Sequence, residues 1–445
     1  MGKINMQEMR QKSVAFLTLG CKVNSYETEA MSQLLANAGY EIVSFSEKAD
    51  VYIVNTCSVT NMADRKSRQM LHKAKKMNEG AIVVATGCYV QTASEKIAED
   101  LSIDIIVGNN KKKEIVEILQ EYFKEHKKNY IIDINKTDEY EDLEIATVTE
   151  HTRAHLKIQD GCNNFCSYCI IPYARGRIRS RKMDSIKDEL ERLANNGFKE
   201  VVFTGINLSC YDDNGKKLID VIELAENTEG IERIRLGSLD PEVVTEEFAH
   251  RLSKVTKICP HFHLSMQSGC DTTLKAMNRH YTSEEYYNKC MLLREKFINP
   301  AFTTDVIVGF PQESDEDYAT TREFVKKVGF SELHVFKYSR RDGTVAAKMI
   351  GQVDETIKSK RSEDLISVGE SLKENYRKEK IGEKVSVLFE EEKEINGIKY
   401  QVGHTKEYIE VAVETKENLA GKIEEVFLKD FIDNEIMLAT RKVLY

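Results

Sequence analysis

The sequence predicts an α/β protein in three successive parts: an N-terminal parallel-sheet domain, a central partial (β/α)6 barrel and a small, OB-like β-barrel at the C-terminus. Two patterns predict it. Over most of the chain, short apolar runs alternate with longer polar, helix-forming stretches, and that alternation implies parallel strands joined by crossover helices. Near residue 380 the rhythm shortens to five strand-like runs of alternating hydrophobicity, as a small closed barrel requires.

At 445 residues the chain is long enough for two or three separate cores. Its 41% hydrophobic and 31% charged residues are ordinary for a globular protein. No stretch reaches the roughly 18 uninterrupted apolar residues of a membrane span, so no membrane is expected. The opening MGKINMQEMRQKS has no apolar signal core and reads as a short disordered lead-in, which places the protein in the cytoplasm. Ten cysteines in such a chain favour metal or redox chemistry over disulfides. A net charge of -9 argues against general nucleic-acid binding, so an RNA partner has to be met through local basic patches.

The first part, 13–125, contains the runs VAFLTLGC (14–21), DVYIVNTC (50–57) and AIVVATGC (81–88). Continuous apolar runs of this kind are strands buried on both faces of a parallel sheet. Each run ends in a cysteine, and Cys21, Cys57 and Cys88 follow one another at 36 and 31 residues, near one βα repeat. Functional groups of open α/β sheets gather beyond the carboxyl ends of the strands, so the three thiols are expected to converge and hold a cluster. The bland alternative is three separate buried thiols. The basic run DRKSRQMLHKAKK (64–76) reads as a solvated helix face that also has the charge to touch phosphate. Residues 126–150, with acidic DEYEDLE, read as a linker.

The central part, 151–378, opens with QDGCNNFCSYCIIPYARGRIRSR (159–181). Cys162, Cys166 and Cys169 form a C-x3-C-x2-C set, which suits three irons of a 4Fe-4S cube and leaves the fourth iron open to a chelating ligand. Zinc is the rival, but closed zinc sites draw on a second separated ligand pair that this sequence lacks. Strand-like runs then recur at 154–159, 200–207, 231–237, 261–266, 301–310 and 332–338, giving six βα units with their site expected at the strands' carboxyl ends. Arg175, Arg177, Arg179, Arg181 and Lys182 put five charges directly after the cysteine loop, and arginine's planar fork suits phosphate or carboxylate. Cys210, Cys259, Cys270 and Cys290 have no ligand spacing and read as structural.

The last part, 379–445, carries the runs KVSVLFEE, GIKYQVGHT, YIEVAVET, KIEEVFLKDFI and EIMLATR, with Asn396-Gly397 marking a tight hairpin. It holds 15 acidic against 10 basic side chains, so binding to RNA here has to rest on a few positions such as Lys399, Tyr400, His404, Lys406 and Tyr408. The alternative is a packing element.

With Tyr168 before its last cysteine, the central loop resembles that of the radical S-adenosylmethionine enzymes. In that family the open iron binds S-adenosylmethionine, and one electron cleaves it to methionine and a 5'-deoxyadenosyl radical. Three strand-end cysteines followed by this loop resemble the methylthiotransferase layout, and the resemblance covers essentially the whole chain. LGCKVNSYETEAM (19–31) and GCNNFCSYCIIPYARGRIRSR (161–181) resemble the MtaB type, which acts on carbon 2 of threonylcarbamoyladenosine at position 37 of tRNA.

The resemblance implies one 4Fe-4S cluster on Cys21, Cys57 and Cys88, and another on Cys162, Cys166 and Cys169. S-adenosylmethionine then serves as radical source and as methyl donor, bound near Tyr168, Gly205, Asn207, Ser238, Gln267, Ser268, Asp305 and Gly309. It also implies substrate held by Arg175, Arg177, Arg179 and Arg181, a reductant of flavodoxin or ferredoxin type, a sulfur donor, and a TRAM domain at 379–445. Sibling activities on isopentenyladenosine or on a ribosomal-protein aspartate remain open, as do an iron-sulfur electron carrier and a metal-stabilised RNA-binding protein.

Overall fold

The computed structural model describes residues 12–144 and 152–441. Residues 1–11 of the lead-in, and the linker's 145–150, fall outside the described residues. The chain forms two units. One takes in residues up to 147 with 160–163 and 169–181, and the other takes in 148–159, 164–168 and the chain from 182 onward.

The first unit is a six-stranded parallel sheet: β1 (Ser13–Thr18), β2 (Glu41–Val43), β3 (Val51–Thr56), β4 (Ile82–Gly87), β5 (Ile105–Val107) and β6 (Asn129–Tyr130), in the order β2-β1-β3-β4-β5-β6. The three expected strands are its centre. Alternate residues of β3 face opposite layers: Tyr52 and Val54 meet Leu71 and Ala74 of α2 (Asn61–Met77), whereas Val51 and Ile53 share a core with Met31 and Leu35 of α1 (Lys22–Asn37). Thr60 begins α2 by accepting the Ala63 N–H at 3.1 Å, which occupies one otherwise unpaired donor of the first turn.

Part of the expected linker is packed structure. β6 extends the sheet, Ile134 and Leu143 are buried, and Glu141 accepts the Lys113 N–H at 2.8 Å. Its polar composition hid these few anchoring positions.

In the second unit β7 (Arg153–Asp160), β8 (Glu200–Gly205) and β9 (Arg233–Leu236) pair in parallel. So do β10 (His261–His263), β11 (Ala301–Val308) and β12 (Glu332–Lys337), and the parallel bridge Leu239–Leu264 joins the two sets into the six-stranded open barrel that the sequence predicts. Helices α5 (Met183–Asn195), α6 (Leu218–Glu226), α7 (Glu246–Leu252), α8 (Ser283–Lys296), α9 (Asp315–Val328) and α10 (Glu355–Lys378) follow in turn, after α3 (Cys88–Thr92) and α4 (Ile115–Glu125) of the first unit. The largest core lies between the strands' outer residues, such as Phe203, Ile234 and Val306, and helix residues such as Leu190, Ile222 and Val325. Cys259, Cys270 and Cys290 are buried in this unit, while Cys210 is half-buried.

β13 (Lys384–Ile395), β14 (Ile398–Thr405), β15 (Glu410–Glu414), β16 (Ile423–Phe431) and β17 (Ile436–Thr440) close a barrel in the order β13-β14-β15-β17-β16. Asn396 and Gly397 have φ of 53° and 79°, the left-handed pair of a two-residue hairpin.

This barrel packs against the amino ends of the central strands. Arg233 donates to the His404 and Ser386 carbonyls at 2.9 and 2.8 Å, and Arg235 donates to those of Lys406 and Thr405 at 2.9 and 3.1 Å. The Tyr408 ring stacks on His404 at 4.6 Å, lies 5.2 Å from the His261 ring, and receives the Arg153 and Arg235 guanidiniums at 5.1 and 4.8 Å. The expectation that Tyr400, His404 and Tyr408 present themselves to RNA is therefore corrected: Tyr400 is buried in the barrel, and the other two are engaged in packing. No helix among the described residues is long and apolar enough to cross a membrane.

Candidate active site

In the first unit the strand order reverses between β1 and β3, and such a switch point opens a crevice beyond the strands' carboxyl ends. Cys21 sits at the start of α1, Cys57 directly after β3 and Cys88 at the start of α3. Asn24 donates to the Leu19 and Thr56 carbonyls at 2.7 and 3.0 Å, tying the two strand ends together. Gly20 has φ of +103°, and a Cβ there would lie 2.9 Å from Cys57 Sγ, so only glycine lets the chain pass so close to that thiol.

The three thiols sense one another. Burial pushes the Cys57 thiol up from its ordinary value, and Cys88 and Cys21 add to the rise. Cys21 is exposed, yet the protein mass around its sulfur raises the thiol, against the pull of the Arg175 guanidinium. Among the described residues, a gathering tight enough for one ion, within 4.8 Å, is formed by His263, Asp305 and His334 rather than by these thiols.

A buried polar network backs the thiols. Arg175 donates through Nε to Cys88 Sγ at 3.3 Å, pairs with Glu27, and reaches Asn24 Oδ1 at 2.5 Å and Asp160 at 3.3 Å. Lys112 bridges Glu27 and Asn109 at 2.7 and 2.6 Å. Burial opposes the charge on Arg175, but Cys88, Glu27 and Asp160 outweigh it and keep the guanidinium protonated. Glu27, Lys112 and Asn109 were not among the sequence-derived candidates. The available signal was an acid at 27 on the inward stripe of α1, between buried Val23 and Met31.

These contacts correct the expectation for the arginine series. Arg175 and Arg181 are fully buried and Arg179 nearly so, and Arg181 pairs with Asp142 at 2.7 Å. Arg179–Ser180 do form a two-residue edge strand, but three of the four side chains turn inward to carboxylates; Arg177 is half-buried.

In the second unit, the middle of the cysteine loop is bolted to the segments at 276–279 and 346. Phe165, at φ of 47°, is held by Asn278, which donates to the Asn164 and Phe165 carbonyls at 3.1 and 3.2 Å. Ser167 donates to the Ala276 carbonyl at 2.8 Å and its own carbonyl accepts from Ala346. Tyr168 packs against a cluster of Met277, Phe310, Tyr338 and Ala346. Arg279 donates to Cys166 Sγ at 3.4 Å and pairs with Asp240 at 2.9 Å, while Asp240 also accepts from Asn164. Burial works against the Arg279 charge, but Tyr281, Tyr168, Asp240 and Cys166 hold it well above its ordinary value. Arg279 lies 113 residues from Cys166, and no local pattern announces it.

Of the expected cofactor contacts, Gly205 ends β8, and the Asn207 N–H donates to Gln159 at 2.7 Å. Ser238 is exposed, and Gln267 bends at φ of 67° beside Asp305, whose carbonyl takes its N–H. Two expectations are corrected. The Ser268 hydroxyl is buried against Thr321 at 3.1 Å, and Gly309 packs under Lys358 with its N–H on Glu313. Both residues shape turns.

Comparison with known proteins accords with this layout. Residues 13–108 match the uncharacterized protein family UPF0004, and residues 156–325 match the Radical SAM superfamily. The threonylcarbamoyladenosine tRNA methylthiotransferase MtaB of Bacillus subtilis is 42% identical over 93% of this chain and 93% of its own. The chain belongs to the radical S-adenosylmethionine methylthiotransferases. A tRNA-2-methylthio-N(6)-dimethylallyladenosine synthase of Finegoldia magna is 33% identical over 94% of this chain and 92% of its own. Among solved structures, the radical S-adenosylmethionine methyltransferase TsrM of Kitasatospora setae superposes with a TM-score of 0.56 over 73% of each chain at 16% identity, a likeness of fold.

Proposed function

We propose that the chain methylthiolates carbon 2 of N6-threonylcarbamoyladenosine at position 37 of tRNA. The observation that carries this is near full-length identity to enzymes named for that substrate, 42% in the Bacillus subtilis protein and 41% over 85% of the chain in the Aquifex aeolicus one. Relatives named for the dimethylallyl nucleoside stand at 33–35%. The enzyme uses two 4Fe-4S clusters with S-adenosylmethionine, and a tRNA is its substrate. Cys162, Cys166 and Cys169 hold one cluster; Cys21, Cys57 and Cys88 hold the other. When bound, the first supplies reductive cleavage of S-adenosylmethionine and the second supplies sulfur that receives a methyl group. A flavodoxin or ferredoxin provides the electron, and a separate donor renews the sulfur.

The protein's own part is to set the sulfurs. Arg175 and Arg279 each place a charged N–H on one sulfur, at 3.3 Å from Cys88 Sγ and 3.4 Å from Cys166 Sγ, and so fix its position for ligation. Protein reconstituted without oxygen should hold about eight irons, and Cys162→Ala should remove roughly half. Cys57→Ala should still release 5'-deoxyadenosine on reduction but yield no methylthio nucleoside, whereas Cys166→Ala should yield neither. Normal product from Cys57→Ala over repeated turnovers would sink the division of labour. Nucleoside mass spectrometry of tRNA from cells with and without the gene tests the substrate: loss of the methylthio mark from the isopentenyl nucleoside alone would overturn it.

A further inference from the structure

With three of the four loop arginines buried, recognition of the substrate's polar arm needs another origin, and the central barrel offers one. Leu333 and Val335 of β12 pack with the helix-side core, as do Phe302, Val306 and Val308 of β11. Side chains alternate along a strand, so His334, Phe336, Thr303 and Asp305 stand on the opposite face, which the helices leave uncovered. Register brings Asp305 beside His334, and His263 beside Thr303.

His263 Nδ1 lies 3.0 Å from Thr303 Oγ1, which orients the ring, and its Nε2 is buried with no hydrogen-bond partner. That atom faces Asp305 Oδ2 at 3.6 Å, too long for a hydrogen bond, and the His334 ring stacks on His263 at 5.9 Å. Phe336, two residues along the same face, is 47% exposed. A bare aromatic beside two imidazoles and a carboxylate, one ring nitrogen of which has no hydrogen-bond partner, inside a barrel whose rim carries the cofactor-binding loop, is the make-up of a pocket for a base with a polar substituent.

We propose that His263, Asp305 and His334 form the subsite for the threonylcarbamoyl arm of the nucleoside. The two imidazoles donate to its carboxylate, Asp305 accepts from its hydroxyl or carbamoyl N–H, and Phe336 offers a surface to the adenine. An isopentenyl arm has no polar atom, so it would leave all three groups desolvated and unpaired, and sites built to bond a polar group reject analogues lacking it by large factors. The inference rests on the substrate assignment above.

The test uses the reconstituted full-length enzyme and an anticodon stem-loop carrying threonylcarbamoyladenosine as the free acid or as its methyl ester. Wild type should bind the acid at least about tenfold more tightly than the ester, as for a charge-assisted pair. His334→Ala should lose that preference while keeping its full iron content, and His334→Gln, which retains a donor, should recover part of it. Equal discrimination by wild type and His334→Ala would overturn the subsite and leave the substrate assignment standing. Failure of wild type to prefer the threonylcarbamoyl over the isopentenyl stem-loop would overturn both. A divalent ion beyond cluster iron that departs with His334→Ala would also overturn direct contact, since the trio would then be a metal site.

Discussion

Arg175 shows what the sequence conceals at the level of one side chain. Its fork serves Glu27, Asn24, Asp160 and the Cys88 sulfur at once, all without solvent. Removing one member of such a buried set strands the others: Arg175→Met should cost about 3–5 kcal/mol of stability. Adding Glu27→Leu should cost more still, because fully buried Lys112 then loses its carboxylate as well, read by denaturant titration. Unchanged stability in the single variant would show that the network holds nothing. Cys162, Cys166 and Cys169 stand out by short ligand spacing, whereas Cys21, Cys57 and Cys88 stand out because each follows the end of a strand-like run. Arg175 and Arg279 were legible as charges but not as partners, since Glu27 lies 148 residues from one and Asp240 lies 39 from the other. Spacing encodes contacts only where they are local.

Strands and helices were read well wherever one face is apolar, because burial enforces a period on the sequence. All six barrel strands and all five terminal strands came out close to their expected spans. The packed part of 126–150 was missed because two or three anchors such as Ile134 and Leu143 have no period. Helix α2 carries a prediction at this scale. Ser67, Leu71 and Ala74 face inward, whereas Arg65, Lys66, Lys73 and Lys76 are exposed. Replacing Lys66 and Lys73 by Gln should weaken tRNA binding and lower the slope of log K against log salt by about two. An unaltered slope would make this helix face a solvated surface and nothing more.

For the whole molecule, the terminal barrel was legible as five strands, but its docking face was not, because aromatic and basic residues look alike whether they await RNA or close on a neighbouring sheet. Glu200 holds this joint. Burial raises its carboxyl, yet Arg235, Arg153 and Arg233 outweigh that and bring it below its ordinary 4.5. A depressed carboxyl contributes its full stability above that unfolded value and loses it as the pH falls through the lower, folded one. Glu200→Gln should therefore flatten the loss of stability below about pH 4.5, followed by thermal melting across pH 3–7; parallel curves would refute it. Arg233 and Arg235 grip mostly main-chain carbonyls at 386 and 404–406, a group that every residue possesses. At 405 and 406 the joint consequently depends on the route of the backbone rather than on amino-acid identity, whereas the His404 ring and the Ser386 hydroxyl add contacts of their own: one inserted residue in β14 does more harm than a point substitution at 405. A foreign five-stranded barrel could be grafted in its place if its main chain followed the same path and it kept an aromatic ring where Tyr408 stands.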